Sequence, residues 1–217
     1  LFPMVTMNGE ECHNEWEITF EEIHRNNAIA FAIFNYQRYT GDLKYLVNKG
    51  LEVLVGICRF WAQRVSYSEK KNKYVVLGVT GPNEYENNVN NNWYTNYSTK
   101  WCLEFTLDNI SIIKKDNPES FEKLFKKLNI KESELDYWLK ISKSIYLNED
   151  KELGVFVQQD GFFDKDLKEI GELDNSERPL NQNWSWDRIL RSPYIKQADV
   201  LQGIYFFEDK FEIEQIK

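Results

Sequence analysis

Two long apolar-rich segments separated by a three-residue turn constrain the fold of this chain more than any other feature. Residues 23–39 read IHRNNAIAFAIFNYQRY, which spreads apolar side chains over nearly all faces of a helix and predicts a buried helix. After Thr40-Gly41-Asp42, apolar residues recur at three- and four-residue steps over 43–65, and Asp42 suits the N-cap of this second helix. Such pairs are αα-hairpins, the units of helical toroids, so an all-α fold is predicted.

The remaining segments predict further helices, one small hairpin and one long irregular tract. Helical spacing is present over residues 95–115, 118–128, 133–145 and 195–211, and Pro118 suits a first helical turn. Residues 66–77 combine a lysine-rich turn with β-prone residues, which predicts a short β-hairpin standing off the helical body. Residues 147–193 carry few helix signals apart from a β-prone run at 155–157, and a loop tract this long is usually functional. No linker divides the chain, so one domain is expected.

The composition argues against nucleic acid and membranes as binding partners. The 217 residues carry a formal net charge of −8, which opposes binding to nucleic acid or to an anionic membrane. No apolar run approaches the roughly 20 residues that span a bilayer. The first residues also lack the basic region of a signal peptide, so a cytoplasmic location is the expectation.

Cysteine and histidine usage predicts neither a disulfide framework nor a metal site. Cys12, Cys58 and Cys102 lack CxxC spacing, and we expect all three to be small buried apolar residues. His13 and His24 are the only histidines, too few for a metal site or a catalytic triad. We therefore expect no metal and no cofactor.

The stretch 78–97 reads GVTGPNEYENNVNNNWYTNY and places a carboxylate, Glu84, directly after the turn-forming Gly81-Pro82-Asn83. Six asparagines follow between Asn87 and Asn96, together with four aromatic residues and no Lys or Arg. Amides that bind hydroxyl groups and rings that stack on sugar faces are typical of a carbohydrate site. The spacing alone fits a solvated, asparagine-rich loop with a surface glutamate equally well.

The sequence of this stretch resembles the segment that carries the catalytic acid in glycoside hydrolase family 65, and Asn83 is typical of its maltose-phosphorolysing branch. The resemblance implies that Glu84 is the catalytic acid, which protonates the departing glycosidic oxygen. In an inverting phosphorylase the incoming phosphate attacks the anomeric carbon itself, so one carboxylate suffices. Glu86 is a weaker candidate for a second acid.

Two further motifs match the same family in the same order. In YIKQADV, the pair Lys196-Gln197 would by itself suit either sugar hydroxyl groups or the solvated start of a helix, and the resemblance implies that it holds the transferred glucosyl unit. Asp199 is expected to be an ordinary first-turn helix residue. In HNEWEITFE, residues 13–21, the resemblance implies a loop that shapes the acceptor subsite. The residues expected to contact the acceptor sugar are His13, Asn14, Glu15 and Trp16.

The resemblance covers essentially the whole chain. It implies reversible, inverting phosphorolysis of maltose to β-glucose 1-phosphate and glucose, with inorganic phosphate as co-substrate, in a parent enzyme that is a homodimer. Kojibiose or trehalose phosphorolysis, hydrolysis by an inverting α-glucosidase of the same fold, and a non-enzymatic sugar-binding module are the alternatives.

The resemblance also implies an architecture. Residues 1–217 would form the central part of an (α/α)6 toroid, with a β-sandwich before it and a small sheet domain after it. An upstream Asp that holds the donor sugar and downstream Ser and His residues that seat phosphate would lie outside these residues. We therefore expect the 217-residue chain alone to lack phosphorolysis.

Overall fold

The computed structural model describes residues 1–12 and 17–216, and this part of the chain is mainly helical. The helices are α1 (Ile18–Glu21), α2 (Arg25–Thr40), α3 (Leu43–Tyr45), α4 (Leu51–Arg64), α5 (Trp93–Asp116), α6 (Pro118–Leu128), α7 (Glu132–Ser144), α8 (Leu180–Asn183), α9 (Trp186–Arg191), α10 (Asp199–Phe206) and α11 (Ile213–Ile216). Two small antiparallel hairpins pair β1 (Ser66–Ser68) with β2 (Lys73–Val75) and β3 (Glu149–Asp150) with β4 (Val155–Phe156). Single 3₁₀ turns are present at Phe162–Asp164, Ile170–Glu172, Asn175–Glu177 and Glu208–Lys210.

The predicted αα-hairpin is present, with its turn chemistry. Helix α2 ends at Gly41, which adopts the left-handed conformation (φ 65°) that glycine tolerates without strain. The Asp42 carboxylate then accepts a hydrogen bond of 3.0 Å from the backbone N–H of Tyr45, which confirms the N-cap. The predicted second helix is present without a break over residues 43–64, and a π-helical turn at Leu46–Gly50 joins α3 to α4 within it.

The prediction of a buried helix is wrong for one side of α2. Ala30 and Ile33 are buried, whereas Ala28, Ile29 and Ala32 are exposed on the opposite side. The segment is rich in apolar residues, but α2 packs against α4 and α5 on one side and leaves its other side exposed.

Helix α5 is the centre of the core, where it packs against α2, α4, α6, α7 and α10. Three buried polar groups join it to two of these helices: the Asn27 amide donates to Ser98 Oγ (2.8 Å), and its oxygen accepts from Trp61 Nε1 (2.6 Å). Because these groups are buried together, each satisfies the hydrogen bonds that the others would otherwise lack. They therefore specify how α2, α4 and α5 meet.

Helices α5 to α7 follow their sequence signals closely. Asn92 caps α5 by accepting from the backbone N–H of Thr95 at 2.9 Å, and Pro118 occupies the first turn of α6 as predicted. Helix α7 begins at Glu132, one residue before the predicted start. Among the residues in ranges 1–12 and 17–216, no helix is both long and apolar enough to cross a bilayer.

The first hairpin is present but does not stand off the helical body. Tyr74 and Val75 of β2 are buried, and the Tyr74 carbonyl accepts a 2.7 Å hydrogen bond from the backbone N–H of Tyr146, just after α7. Burial of the apolar side chains of β2 is favourable, so the hairpin packs against α7 while its lysine-rich turn stays in solvent. The cysteine prediction holds for Cys58 and Cys102, which are buried, and is wrong for Cys12, which is exposed.

We expect Gly203→Ala to destabilise the protein by about 1–3 kcal/mol, the usual penalty for overpacking a core. A methyl group at Gly203 in α10 would lie 2.5 Å from Cζ3 of Trp93, a fully buried side chain that has no free volume to move into. Gly56→Ala in α4 is the matched control. It meets nothing within 4 Å and should stabilise by about 0.5–1 kcal/mol through helix propensity. Urea unfolding measures both, and equal stabilities of Gly203→Ala and wild type would contradict this packing.

Candidate active site

The predicted acid turn is the tip of a closed loop. Val79 and Val89 form an isolated antiparallel bridge, with reciprocal backbone hydrogen bonds of 2.9 and 2.8 Å. Residues 80–88 project from this bridge, and Glu84 lies on the turn within them, as predicted. The bridge keeps both ends of the loop together, so the position of Glu84 depends on what the loop contacts.

Most of the asparagines after Glu84 build the loop. Asn91 accepts from the backbone N–H of Val76 (3.2 Å) and donates to Asp160 (2.6 Å), while Asn96 donates to the Tyr146 carbonyl (2.7 Å). Asn91, Asn92 and Asn96 are buried. The interpretation of the asparagine-rich run as a set of sugar partners is therefore wrong for these three residues, whose amides are used by the fold.

The aromatic residues of the stretch also separate into two groups. Trp93, Tyr94 and Tyr97 are buried in the core, where Trp93 and Tyr97 stack with ring centroids 4.9 Å apart, so these three rings pack against protein groups and offer no exposed face to a sugar. Tyr85 stays beside Glu84 in sequence and meets the edge of Trp186 at 6.3 Å. Because 48% of Trp186 is exposed, this pair is the aromatic surface that the loop offers to a ligand.

Glu84 and Lys196, which come from two separate motifs, are in direct contact. Lys196 Nζ lies 2.8 Å from Glu84 Oε2, and the two side chains are 43% and 32% exposed, respectively. The backbone N–H of Lys196 donates to Asn83 Oδ1 at 2.8 Å, so the residue before the acid holds the lysine segment in place. The fold therefore brings into contact two side chains that are 112 residues apart in the sequence.

Gln197 and the start of the last helix differ from expectation. Helix α10 begins at Asp199, so Lys196 and Gln197 precede it in a bend, and the predicted helix start at residue 195 is wrong. Gln197 is exposed and makes no hydrogen bond within ranges 1–12 and 17–216, which leaves its amide free for a ligand.

Asp199 is the functional residue that the sequence reasoning missed. It is completely buried and accepts two hydrogen bonds, from the backbone N–H of Asn83 (2.8 Å) and from Asn92 Nδ2 (2.7 Å). The expectation of an ordinary first-turn helix residue is wrong, because the carboxylate points inward and joins the turn before Glu84 to Asn92, the N-cap residue of α5. Gly81 permits this approach, since a Cβ atom there would lie 2.2 Å from Asp199 Oδ2.

Burial changes the acidity of Asp199 and of His24. Loss of hydration raises the pKa of Asp199 to about 7, although the hydrogen bonds from Asn92 and Asn83 act in the opposite direction. Burial lowers the pKa of His24 to about 4, so this imidazole is neutral at physiological pH. A neutral, enclosed His24 edge-on to Tyr94 is a packing residue.

Glu86, the weaker candidate for a second acid, is occupied by the fold. It is buried, forms an ion pair with Lys165 and accepts a 2.5 Å hydrogen bond from Gln159. Lys165 also donates to the Ser192 carbonyl at 2.9 Å. These contacts tie the irregular tract 147–193 to the acid loop, and they leave Glu86 without a free oxygen for proton transfer to a substrate.

The segment HNEWEITFE meets the acid loop at its last residue. Glu21 Oε2 accepts from Thr80 Oγ1 (2.6 Å) and from the backbone N–H of Asn88 (2.7 Å). The predicted acceptor residues His13, Asn14, Glu15 and Trp16 lie outside the described residues. The anchoring of Glu21 nevertheless places the end of their segment against the loop that carries Glu84.

Comparison with known proteins decides the family. The family model described as "Glycosyl hydrolase family 65 central catalytic domain" matches residues 1–217. The chain belongs to glycoside hydrolase family 65. Within that family it is 59% identical over 215 residues to "Maltose phosphorylase" of Bacillus subtilis, with 99% of this chain and 28% of the relative covered.

More distant members of family 65 show the same relationship. "Kojibiose phosphorylase" of Halothermothrix orenii is 37% identical, with 89% of this chain and 25% of the relative covered. "Alpha,alpha-trehalose phosphorylase" of Thermoanaerobacter brockii is 34% identical, with 100% and 28% covered. A solved structure described as "Putative kojibiose phosphorylase from human microbiome" superposes with a TM-score of 0.87 at 33% identity, over 99% of this chain and 29% of that one. The chain thus spans less than a third of the length of these relatives.

We expect Asp199→Asn to show a stability deficit that shrinks as the pH rises. Because the pKa of Asp199 is raised on folding, its protonated form stabilises the fold below about pH 4, and this contribution is lost as the pH rises through about 7. The amide variant does not titrate. Its N–H₂ group would face the backbone N–H of Asn83 or the amide of Asn92, which are both donors. At low pH this mismatch should lower the free energy of unfolding by about 1–3 kcal/mol relative to wild type.

Urea unfolding of wild type and Asp199→Asn between pH 5 and 8 tests this. Any other group that titrates equally in both proteins cancels in the difference. A deficit that stays constant, or that widens with pH, would contradict a buried Asp199 carboxyl that titrates near neutrality.

Proposed function

We propose that the complete protein catalyses the reversible, inverting phosphorolysis of maltose to β-glucose 1-phosphate and glucose, and that this chain supplies its acid. The observation that carries the proposal is the 2.8 Å contact between Glu84 and Lys196, which joins the two motifs of the family at one point. The 59% identity to a relative named maltose phosphorylase supports maltose as the substrate.

Glu84 is the general acid in this proposal. Its proton passes to the glycosidic oxygen as the bond to the anomeric carbon breaks, while phosphate forms the new bond from the opposite face. The carboxylate that remains is stabilised by the Lys196 ammonium group at 2.8 Å. Phosphate supplies the nucleophile, so the reaction needs no second carboxylate base.

Lys196 and Gln197 hold the donor glucose. An ammonium group has three N–H donors, so Lys196 can contact Glu84 and still donate to sugar hydroxyl groups. The free amide of Gln197 both donates and accepts, which suits an adjacent pair of hydroxyl groups. The aromatic pair Tyr85 and Trp186 offers a surface on which a sugar ring can pack.

His13, Asn14, Glu15 and Trp16 contact the acceptor glucose. The support for this role is positional, since Glu21 at the end of the same segment is bonded to Thr80 and Asn88 in the acid loop. The acceptor would then lie on the side of Glu84 opposite the donor, where the acid can reach the oxygen between the two sugars.

The wider expectations follow from family membership. The αα-hairpin and the central position of α5 suit a share of an (α/α)6 toroid, with residues 1–217 as the middle of one catalytic domain. Inorganic phosphate is a co-substrate, no other cofactor is needed, and the complete protein is a cytoplasmic homodimer that binds neither nucleic acid nor membrane.

The nearest alternative keeps the chemistry and changes the linkage. Relatives named kojibiose phosphorylase and α,α-trehalose phosphorylase are 37% and 34% identical to the chain, respectively. Incubating the complete protein with maltose, kojibiose or trehalose and phosphate separates these three substrates. Glucose release without phosphate would favour hydrolysis instead.

We expect Glu84→Gln to lower β-glucose 1-phosphate release from maltose by about 10²–10⁴-fold in the complete protein, the usual contribution of a positioned acid. Glu84 is partly exposed, so the amide should not disturb folding, which circular dichroism checks. Glu69→Gln, exposed at the first hairpin turn, is the control and should retain full activity. Unchanged activity of Glu84→Gln would refute the acid role, whereas the absence of phosphate-dependent or hydrolytic activity in wild type as well would favour a sugar-binding module.

A further inference from the structure

Glu22 is a buried carboxylate that the fold leaves without a partner. It follows the last residue of α1 and is 8% exposed. Its backbone is fully used: the N–H donates to the Ile18 carbonyl (2.9 Å), and the carbonyl accepts from Arg25 Nη1 (3.3 Å). The carboxyl oxygens make no hydrogen bond and no ion pair within the described part of the chain.

The neighbouring acids show how unusual this is. Glu86 is equally buried, at 7% exposed, and its carboxylate is satisfied by Lys165 and Gln159. Glu21, the residue before Glu22, is satisfied by Thr80 and Asn88. A buried polar group without a partner destabilises a protein, so such groups persist where a ligand or water completes them.

The surroundings of Glu22 place it at the site. The charged groups that act on its carboxyl are Glu84, Arg25, Lys196 and Asp199. Arg25 is already committed, because its Nε donates to the Phe2 carbonyl at 2.7 Å and its guanidinium lies 3.7 Å from Glu11. Glu21, the residue before Glu22, is hydrogen-bonded to Thr80 and Asn88 of the loop that carries Glu84, so Glu22 lies next to that loop and within electrostatic reach of Glu84 and Lys196.

The protonation of Glu22 suits a neutral ligand. Burial first, and the charge of Glu84 second, raise its pKa to about 7, with Arg25 and Lys196 acting in the opposite direction. At neutral pH the carboxyl group is thus protonated in a large share of molecules and can both donate and accept. An anionic group in direct contact with Glu22 would be repelled by its ionised form.

We propose that Glu22 is a further substrate-binding residue, whose carboxyl group hydrogen-bonds a sugar hydroxyl next to the glycosidic bond that Glu84 cleaves. A sugar hydroxyl both donates and accepts, so it completes the carboxyl in either protonation state. This assignment rests on the proposed function, because it takes the ligand of the Glu84 site to be a disaccharide.

The test is a cycle that crosses a variant with a modified substrate. The kcat/KM of the complete protein is measured for maltose and for its monodeoxy derivatives in either ring, with wild type and Glu22→Met. Glu22→Met should lower kcat/KM for maltose by about 10–100-fold, mainly through KM, the scale expected when a buried polar contact to substrate is lost. With wild type, the monodeoxy maltose that lacks the contacted hydroxyl should show a similar fall in kcat/KM relative to maltose. With Glu22→Met, removal of the same hydroxyl should lower kcat/KM by less than about twofold more, because both changes remove the same contact.

Two further measurements exclude a structural explanation. Glu22→Met replaces an unpaired buried carboxyl by an apolar group of similar size, so its melting temperature should equal or exceed that of wild type. Glu22→Gln keeps the hydrogen-bonding capacity and should recover most of the activity. Glu86→Met is the matched control: it leaves Lys165 unpaired, should lower the melting temperature, and should show the same factor for every monodeoxy sugar.

The outcomes are distinguishable. If wild type cleaves maltose with phosphate and the Glu22→Met and deoxy effects multiply for every sugar position, Glu22 contacts no hydroxyl and the assignment is overturned. A lower melting temperature of Glu22→Met without recovery by Glu22→Gln would overturn it as well. If wild type phosphorolyses none of maltose, kojibiose and trehalose, the proposed function itself fails.

Discussion

The two hydrogen bonds of the buried Asp199 carboxyl are the contact on which the site depends. One reaches the backbone of Asn83, next to the acid, and the other reaches Asn92, which caps the central helix α5. Because Lys196 lies three residues before Asp199, the same contact brings the lysine to Glu84. Asn83 closes the arrangement by using its side chain to accept from the Lys196 backbone. Gly81 leaves the space that this arrangement needs.

The acidic residues around the loop divide into those that hold it and those that remain available. The carboxylates of Glu21, Glu86 and Asp199 each accept hydrogen bonds from protein groups. Glu84 reaches solvent beside Lys196, and Glu22 is enclosed but unpaired. A loop rich in carboxylates would repel itself if all were free. Committing three of them to fixed donors leaves two whose interactions a neutral ligand can complete.

The sequence predicted the parts of the structure that depend on local chemistry. The αα-hairpin, the Asp42 cap, Pro118 at the start of α6 and the turn position of Glu84 follow from periodicity and turn residues. The family resemblance predicted that Glu84 and Lys196 serve one site, and they are in contact. Periodicity did not reveal that Asn91 and Trp93 face inward, or that Asp199 is buried, because each depends on partners more than 60 residues away or on a separate helix.

The exposed ion pair of Glu84 and Lys196 and the buried contacts of Asp199 have different strengths, and the difference suits the acid role proposed for Glu84. A partly exposed Lys–Glu pair contributes about 0–1 kcal/mol, so a sugar hydroxyl can take over the lysine with little loss. The buried contacts of Asp199 are individually harder to break, because separating them would leave donors unsatisfied. Rigidity therefore resides in the base of the loop, while the Glu84 carboxyl group, the proposed acid, is held by the weaker contact. An acid fixed by the ion pair alone would lose its position each time substrate displaced the lysine.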